Sequence, residues 1–167
     1  GRTVRGFAAR FRMLIDQGSG SPADGMSFNF LPEDPSTVDL SGTFETGVGS
    51  GLSIGFSIYQ NPYAVLRVNG QEIARKSAFS VYNVGSVTAM PWVEVVMSPD
   101  RKVTVWFDGA VVFDAVQTTL NPAAGWRFGW GARCGGQYAR HSIDEISLHT
   151  FLERVRERSD VLQTTDP

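Results

Sequence analysis

Large apolar side chains recur at every second position along much of this chain, and that spacing constrains the fold more than any other feature. Phe7, Ala9, Phe11, Met13 and Ile15 fall on one face of an extended segment, with Arg10 and Arg12 on the other. Met26, Phe28 and Phe30 repeat the pattern, as do Leu52, Ile54, Phe56 and Ile58. So do Ala64, Leu66 and Val68, then Val93, Val95 and Met97, then Val103, Val105 and Phe107, then Trp126, Phe128 and Trp130. A helix would space its apolar face by three or four residues, so these segments predict strands with one buried side. Each such side needs an apolar partner, and a facing sheet about 10 Å away supplies it.

The turn chemistry agrees. Asn69-Gly70 and Asp108-Gly109 each join two apolar-periodic segments, the strongest local hairpin signal, because both turn residues need positive φ. Ser98-Pro99-Asp100 joins the strand beginning at Trp92 to the one containing Val103, so residues 92–115 predict an antiparallel meander. With 18 glycines and 8 prolines the chain is punctuated into many short elements, and 42% hydrophobic residues supply a core. The expectation is an all-β antiparallel sandwich over residues 1–150. Residues 151–167 read as a helix and linker tail: Thr150 and Glu153 form a capping box ahead of a short helix from Phe151 to Arg158. Residues 16–24 and 32–51 read as loops, the longer expected to hold a short strand around Thr43–Glu45 or to serve a function.

Composition excludes several classes of function. A net charge of −2 argues against nucleic acid as a partner. No apolar run reaches the roughly 18–20 residues that span a bilayer. No basic-then-apolar leader opens the sequence, so the segment reads as mature or as an excised domain. Cys134 is the only cysteine, which rules out an intramolecular disulfide, and with only His141 and His149 beside it a zinc site lacks ligands. Cys134 reads as a small packed residue.

Five short stretches, in order, resemble legume-type (L-type) lectins of the concanavalin A-like jelly-roll superfamily. Ala23-Asp24-Gly25-Met26-Ser27-Phe28 resembles their (Ala/Gly)-Asp-Gly step into a strand. Ser53 to Asn61 lies where they carry a metal-ligand strand and loop, and Trp92 to Phe113 resembles their central meander. Phe128 to Gly136 resembles a later strand and glycine loop, and His141 to Ile146 stands at the closing strand. The resemblance covers about residues 5–150. It implies a jelly roll, a non-enzymatic carbohydrate-binding or adhesion role, and an extracellular or cell-surface setting.

The resemblance also nominates site residues. In those lectins the Asp24 counterpart follows a cis peptide and accepts hydrogen bonds from sugar hydroxyls, with Gly25 completing the step. The plain alternative is an Asp-Gly turn. Asn61, in Tyr59-Gln60-Asn61, matches an Asn that touches both calcium and sugar, or else it simply opens an Asn-Pro turn. Asp24 and Asn61 are thus the candidate calcium ligands. The resemblance sets Gly55 and Ser57 where the metal-ligand strand carries a Glu and an Asp, which should abolish the transition-metal site and leaves calcium short of the carboxylates it usually takes. Glu33, Asp34, Asp39 and Glu45 either hold a separate calcium or form a solvated acidic loop. The loop after Trp130 adds Arg133 as a donor and Gly135 and Gly136 as points of close approach. Trp130 or Tyr138 is a candidate sugar-stacking ring, while Trp126 and Phe128 read as core.

No catalytic pair is evident. The Glu-x-Asp-x-x-Glu signature of the related glucanases is missing, Asp144 and Glu145 are adjacent on one strand, and Glu94 stands alone on its own. Three readings therefore follow: a glycan- or polysaccharide-binding module, a self-associating or domain-binding structural module, and a divergent polysaccharide hydrolase or lyase.

Overall fold

The computed structural model describes residues 3–34, 37–38 and 42–152. Ten strands form two five-stranded antiparallel sheets among the described residues. In chain order they are β1 (Val4–Asp16), β2 (Gly25–Leu31), β3 (Leu52–Ser57), β4 (Tyr63–Val68) and β5 (Gln71–Ser77). They continue with β6 (Trp92–Met97), β7 (Lys102–Phe107), β8 (Ala110–Gln117), β9 (Arg127–Arg133) and β10 (Arg140–Leu152). One sheet runs β10-β1-β6-β7-β8 and the other β5-β4-β3-β2-β9.

The alternating apolar sets do what their spacing demands. Each projects between the sheets, and Phe7, Phe28, Phe30 and Ile54 are almost wholly excluded from water. Rings from β1, β2 and β9 interlock at the centre: Phe7 lies 5.2 Å from Phe30, Phe11 5.7 Å from Phe28, and Phe30 4.7 Å from Phe128. Burying one such side chain contributes roughly 1.5–3 kcal/mol, so this cluster dominates cohesion between the sheets.

The hairpins follow their turn residues. Asn69 and Gly70 have φ of 51° and 76°, and Asp108 and Gly109 have 48° and 77°, the mirror-image turn whose twist matches antiparallel strands. At the Ser98 turn the Arg101 amide donates to the Ser98 carbonyl, closing β6 onto β7.

Two expectations need correction. Phe151 and Leu152 belong to β10, paired with Gly6 and Val4, so no helix begins at Phe151. The ladder with β1 claims Thr150, opposite Phe7, before it can cap anything, and residues 153–158 lie outside the described residues. Thr43–Glu45 is not a strand either. The Thr46 amide and hydroxyl both donate to the Thr43 carbonyl, a local side-chain and backbone turn that competes successfully with extended pairing.

That turn packs onto a sheet. Every residue of β2 and β3 is buried, on both faces. The inner face meets the core, and residues 43–50 cover the outer one. The Ser27 hydroxyl donates to the Phe44 carbonyl at 2.6 Å, and the Asn29 side-chain oxygen accepts from the Val48 amide at 2.9 Å. A Cβ on Gly55 would stand 2.6 Å from Thr46 Cα and 2.7 Å from the Glu45 carbonyl oxygen, so only glycine admits the turn this close.

Candidate functional site

The ends of β2, β3 and β9 meet at one rim of the sandwich. Gly25 pairs with Ser57 on one side and Arg133 on the other, so the residue before it enters between two strand ends. That residue is Asp24. Its amide donates to the Arg133 carbonyl and its carbonyl accepts from the Ile58 amide, both at 2.9 Å. The Ala23–Asp24 peptide is cis, as the resemblance to lectins implies. Gly25 has φ of 140°, and a Cβ there would collide with the Phe56 carbonyl oxygen. The Ala-Asp-Gly step is therefore fixed through its main chain.

The loop leading into it is tied down as well. Arg140 donates to both carboxylate oxygens of Asp16, at 2.8 and 2.6 Å. The Gly18 amide donates to the Tyr82 hydroxyl at 2.9 Å, and the Ser19 amide donates to the Tyr138 carbonyl at 3.0 Å.

Asp24, Arg133, Gly135 and Gly136 line one open hollow of about 390 Å³, together with Ala23, Tyr59 and Gln137. Asp24 Oδ2 lies 3.4 Å from Arg133 Nε, with the carboxylate side chain 18% exposed and the guanidinium side chain 41%. Gly135 is beside them: a Cβ on it would sit 3.5 Å from Asp24 Oδ2. The hollow thus presents one carboxylate, one guanidinium, an amide side chain and an aromatic wall.

Other nominated residues lie elsewhere. Asn61 is exposed and is not among the residues lining the hollow. The chain turns at Gln60, with φ of 53°, and it is Tyr59, two positions earlier, that reaches the wall. The Trp130 ring packs edge-on against Phe11 at 5.3 Å and Phe28 at 5.7 Å, on the core side of β9 and away from the hollow. Tyr138 is 59% exposed and serves the loop through its backbone. Cys134 is exposed instead of packed, because β9 ends one residue earlier, and its thiol lies 3.4 Å from the Ala139 carbonyl oxygen.

Sequence reasoning missed the inner layer of the site. Glu45 reads as a loop acid, yet it is only 8% exposed, with Oε2 buried and unpaired. Burial pushes its carboxyl above the usual carboxylate range. Asp24 adds to that shift, and the cationic Arg133 and Arg67 oppose it. His141, on β10 nearby, is held below the usual imidazole range by burial, against the pull of Asp24. Periodicity carries no signal for either residue, since both depend on a loop or strand folding over the rim.

Calcium does not fit these residues. It takes 6–8 oxygens at about 2.3–2.6 Å, usually with several carboxylates. The Asp24 carboxylate already faces a guanidinium, and the Gly55 position is filled by the Glu45–Thr46 backbone. The acidic loop is divided as well: Glu33 accepts from the Ser50 amide at 2.8 Å, Asp34 lies 3.2 Å from Arg127, and Glu45 is buried. Asp39 lies outside the described residues. Among the described residues no three His, Cys, Asp or Glu side chains cluster as a metal site.

Two of the acids considered for catalysis lie beside arginines of the other sheet, and the third, Asp144, accepts from the Glu145 amide at 2.8 Å. Glu94 lies 3.6 Å from Arg10, and Glu145 3.0 Å from Arg12. Among the described residues no helix is long and apolar enough to cross a membrane.

No protein-family model matches the sequence, and no curated protein matches it. Solved structures do match the fold. The mannose- and calcium-bound exoplasmic/lumenal domain of VIP36 superposes with a TM-score of 0.71 at 16% identity, covering 92% of this chain and 71% of that one. The carbohydrate recognition domain of Emp47p superposes with a TM-score of 0.68 at 16% identity, covering 90% and 74%. A metal-free form of the VIP36 domain gives 0.66 at 16% identity, covering 90% and 72%. Strand order and these superpositions agree: the chain has the L-type lectin fold.

Proposed function

We propose that this protein is a non-enzymatic carbohydrate-binding module whose site is the hollow around Asp24. The observation that carries this reading is the convergence of Asp24, Arg133, Gly135 and Gly136 with Tyr59 and Gln137 on one rim. Sugars are recognised by charged acceptors and donors on their hydroxyls and by an aromatic ring on their apolar face. All three are supplied here. Asp24 accepts, Arg133 and Gln137 donate, and Tyr59 offers the ring. The VIP36 domain is described bound to mannose and to Man3GlcNAc, so a mannose-terminated glycan is the proposed ligand class. A lumenal or extracellular setting, where such glycans are displayed, goes with this reading.

Mannose-terminated oligosaccharides on a glycan array, followed by calorimetry on the best binder, test it. Saturable one-site binding that Asp24→Asn abolishes is the expected result. A complete lack of retention across the array would sink the proposal.

A second reading, an assembly module, rests on one feature. β10 is an edge strand with Ile146, Leu148, Phe151 and Leu152 all exposed, and apolar edges invite pairing. Light scattering decides it: a concentration-independent monomer mass would remove this reading.

A further inference from the structure

We propose that Arg133 takes the part of a metal ion in this site, neutralising and orienting the Asp24 carboxylate so that glycan binds without calcium. The inference rests on the carbohydrate-binding reading and goes further, because it names what makes the site work chemically.

Three observations support it. The first is position. Arg133 Nε stands 3.4 Å from Asp24 Oδ2, and the same residue's carbonyl accepts the Asp24 amide. A guanidinium beside a carboxylate is a planar donor and a fixed positive charge at any physiological pH. It leaves the second carboxylate oxygen available to a sugar hydroxyl, and Arg133 itself lines the same hollow with further N–H donors to offer.

The second is charge balance. Two carboxylates, Asp24 and Glu45, lie within electrostatic reach of two guanidiniums, Arg133 and Arg67. Arg67 Nε is buried with no hydrogen-bond partner, and its charge acts on Glu45 and also on Glu72, opposite it on β5. The Asp24 carboxylate is already offset by the guanidinium beside it, which weakens its pull on a divalent cation. A cation placed on Asp24 would instead be repelled by Arg133.

The third is order. A bound metal stiffens loops by joining them. Here hydrogen bonds do so: Asp24 to Arg133 and Ile58, Gly18 to Tyr82, Ser19 to Tyr138 and Asp16 to Arg140. The Glu45–Thr46 turn fills the space against Gly55, where a strand carboxylate would have to stand.

The test uses the whole chain in two arms. In the first, binding of a mannose-terminated oligosaccharide is measured in calcium and in excess EDTA, for the wild type, Arg133→Gln and Arg133→Lys. Equal affinity in both buffers is expected. Arg133→Gln should lose about tenfold, the weight of one charge-assisted hydrogen bond, and Arg133→Lys should recover part of that loss. The melting temperature should change little in either variant. Binding that appears only with calcium, or an Arg133→Gln variant that binds as well as wild type, would overturn the inference while leaving carbohydrate binding intact. In the second arm, calcium alone is titrated into glycan-free protein by calorimetry. No binding heat is expected. A one-site calcium signal lost in Asp24→Asn would overturn the inference even if no glycan is found. Lack of glycan binding in every buffer, with no calcium signal, would remove the carbohydrate reading and the glycan half of the inference, leaving Arg133 as the resident cation of Asp24.

Discussion

Arg133 meets Asp24 twice: its carbonyl accepts the Asp24 amide at 2.9 Å, and its Nε lies 3.4 Å from the Asp24 carboxylate. The first contact uses the main-chain carbonyl of residue 133, so it does not depend on which side chain stands there. The second belongs to the side chain alone. Variants at 133 therefore separate the scaffold from the chemistry, which is uncommon where a ligand-facing residue is also a strand residue. The ion pair is partly exposed, so it contributes little to stability, and its value lies in orientation.

Gly135 offers a way to block the hollow without touching the fold. A side chain there would begin 3.5 Å from Asp24 Oδ2, an ordinary contact, and would grow into the hollow. Gly135→Leu should abolish glycan binding by occupancy, while thermal stability stays within about 0.5 kcal/mol, as for other exposed positions. Calorimetry and a melting curve on the same sample check it. A variant that binds normally would place the ligand elsewhere.

Gly25 behaves in the opposite way. Its φ of 140° and the Phe56 carbonyl behind it leave no place for a Cβ. Gly25→Ala should destabilise the protein by about 1–3 kcal/mol or more, from backbone strain and overpacking together. Urea unfolding is the measurement, and a midpoint equal to wild type would contradict the packing described at β2.

Gly55→Asp places an acid on the face of β3 that the Glu45–Thr46 turn covers. Its Cβ would stand 2.6 Å from Thr46 Cα, so the turn over β3 must lift. The expected result is a loss of about 1–3 kcal/mol with no gain in stability on adding calcium. Melting with and without calcium tests both parts, and a calcium-dependent rise in melting temperature would show that the turn yields to a metal.

Two buried groups give the stability opposite slopes with pH. The Glu45 carboxyl is raised above its usual 4.5 by burial, so the folded state holds that proton more tightly than the unfolded chain. Stability should therefore fall as pH rises from about 4.5 through the folded value, and stay lower above it. The His141 imidazole is lowered below its usual 6.5 by burial, so the unfolded chain takes the proton first. Its contribution is complete above about 6.5 and is lost as pH falls through that value toward the folded one. The two partly cancel in the wild type. Denaturant midpoints across this range should steepen in one direction for Glu45→Gln and in the other for His141→Asn, and parallel profiles would refute the assignment.

Much of the sandwich was legible because its signals are local. Alternation needs only a few consecutive residues, and the Asn69-Gly70 and Asp108-Gly109 turns carry their geometry in the two residues themselves. The expected helix start at Phe151 failed for the complementary reason: a capping box at Thr150 is local, but pairing of β10 with the first residues of β1 is not. The site shows the same divide. Asp24 and Arg133 were both nominated, each on its own loop, but their meeting depends on β2 pairing with β9. Tyr59 in place of Asn61 turns on one residue with positive φ, and the burial of Glu45 turns on a loop folding back across a sheet. Neither is written in a spacing.

The loop after β9 separates two duties that proteins often combine. Its anchors are the Tyr138 backbone bonds to Ser19 and the thiol contact of Cys134, whereas Gly135, Gly136 and Gln137 project from it exposed. A Cβ on Gly136 would meet nothing within 4 Å. Those three positions form a short cassette whose side chains can be exchanged while the frame stands still. The chemistry that this rim of the sandwich offers to solvent can therefore be rewritten, by selection or by hand, independently of folding.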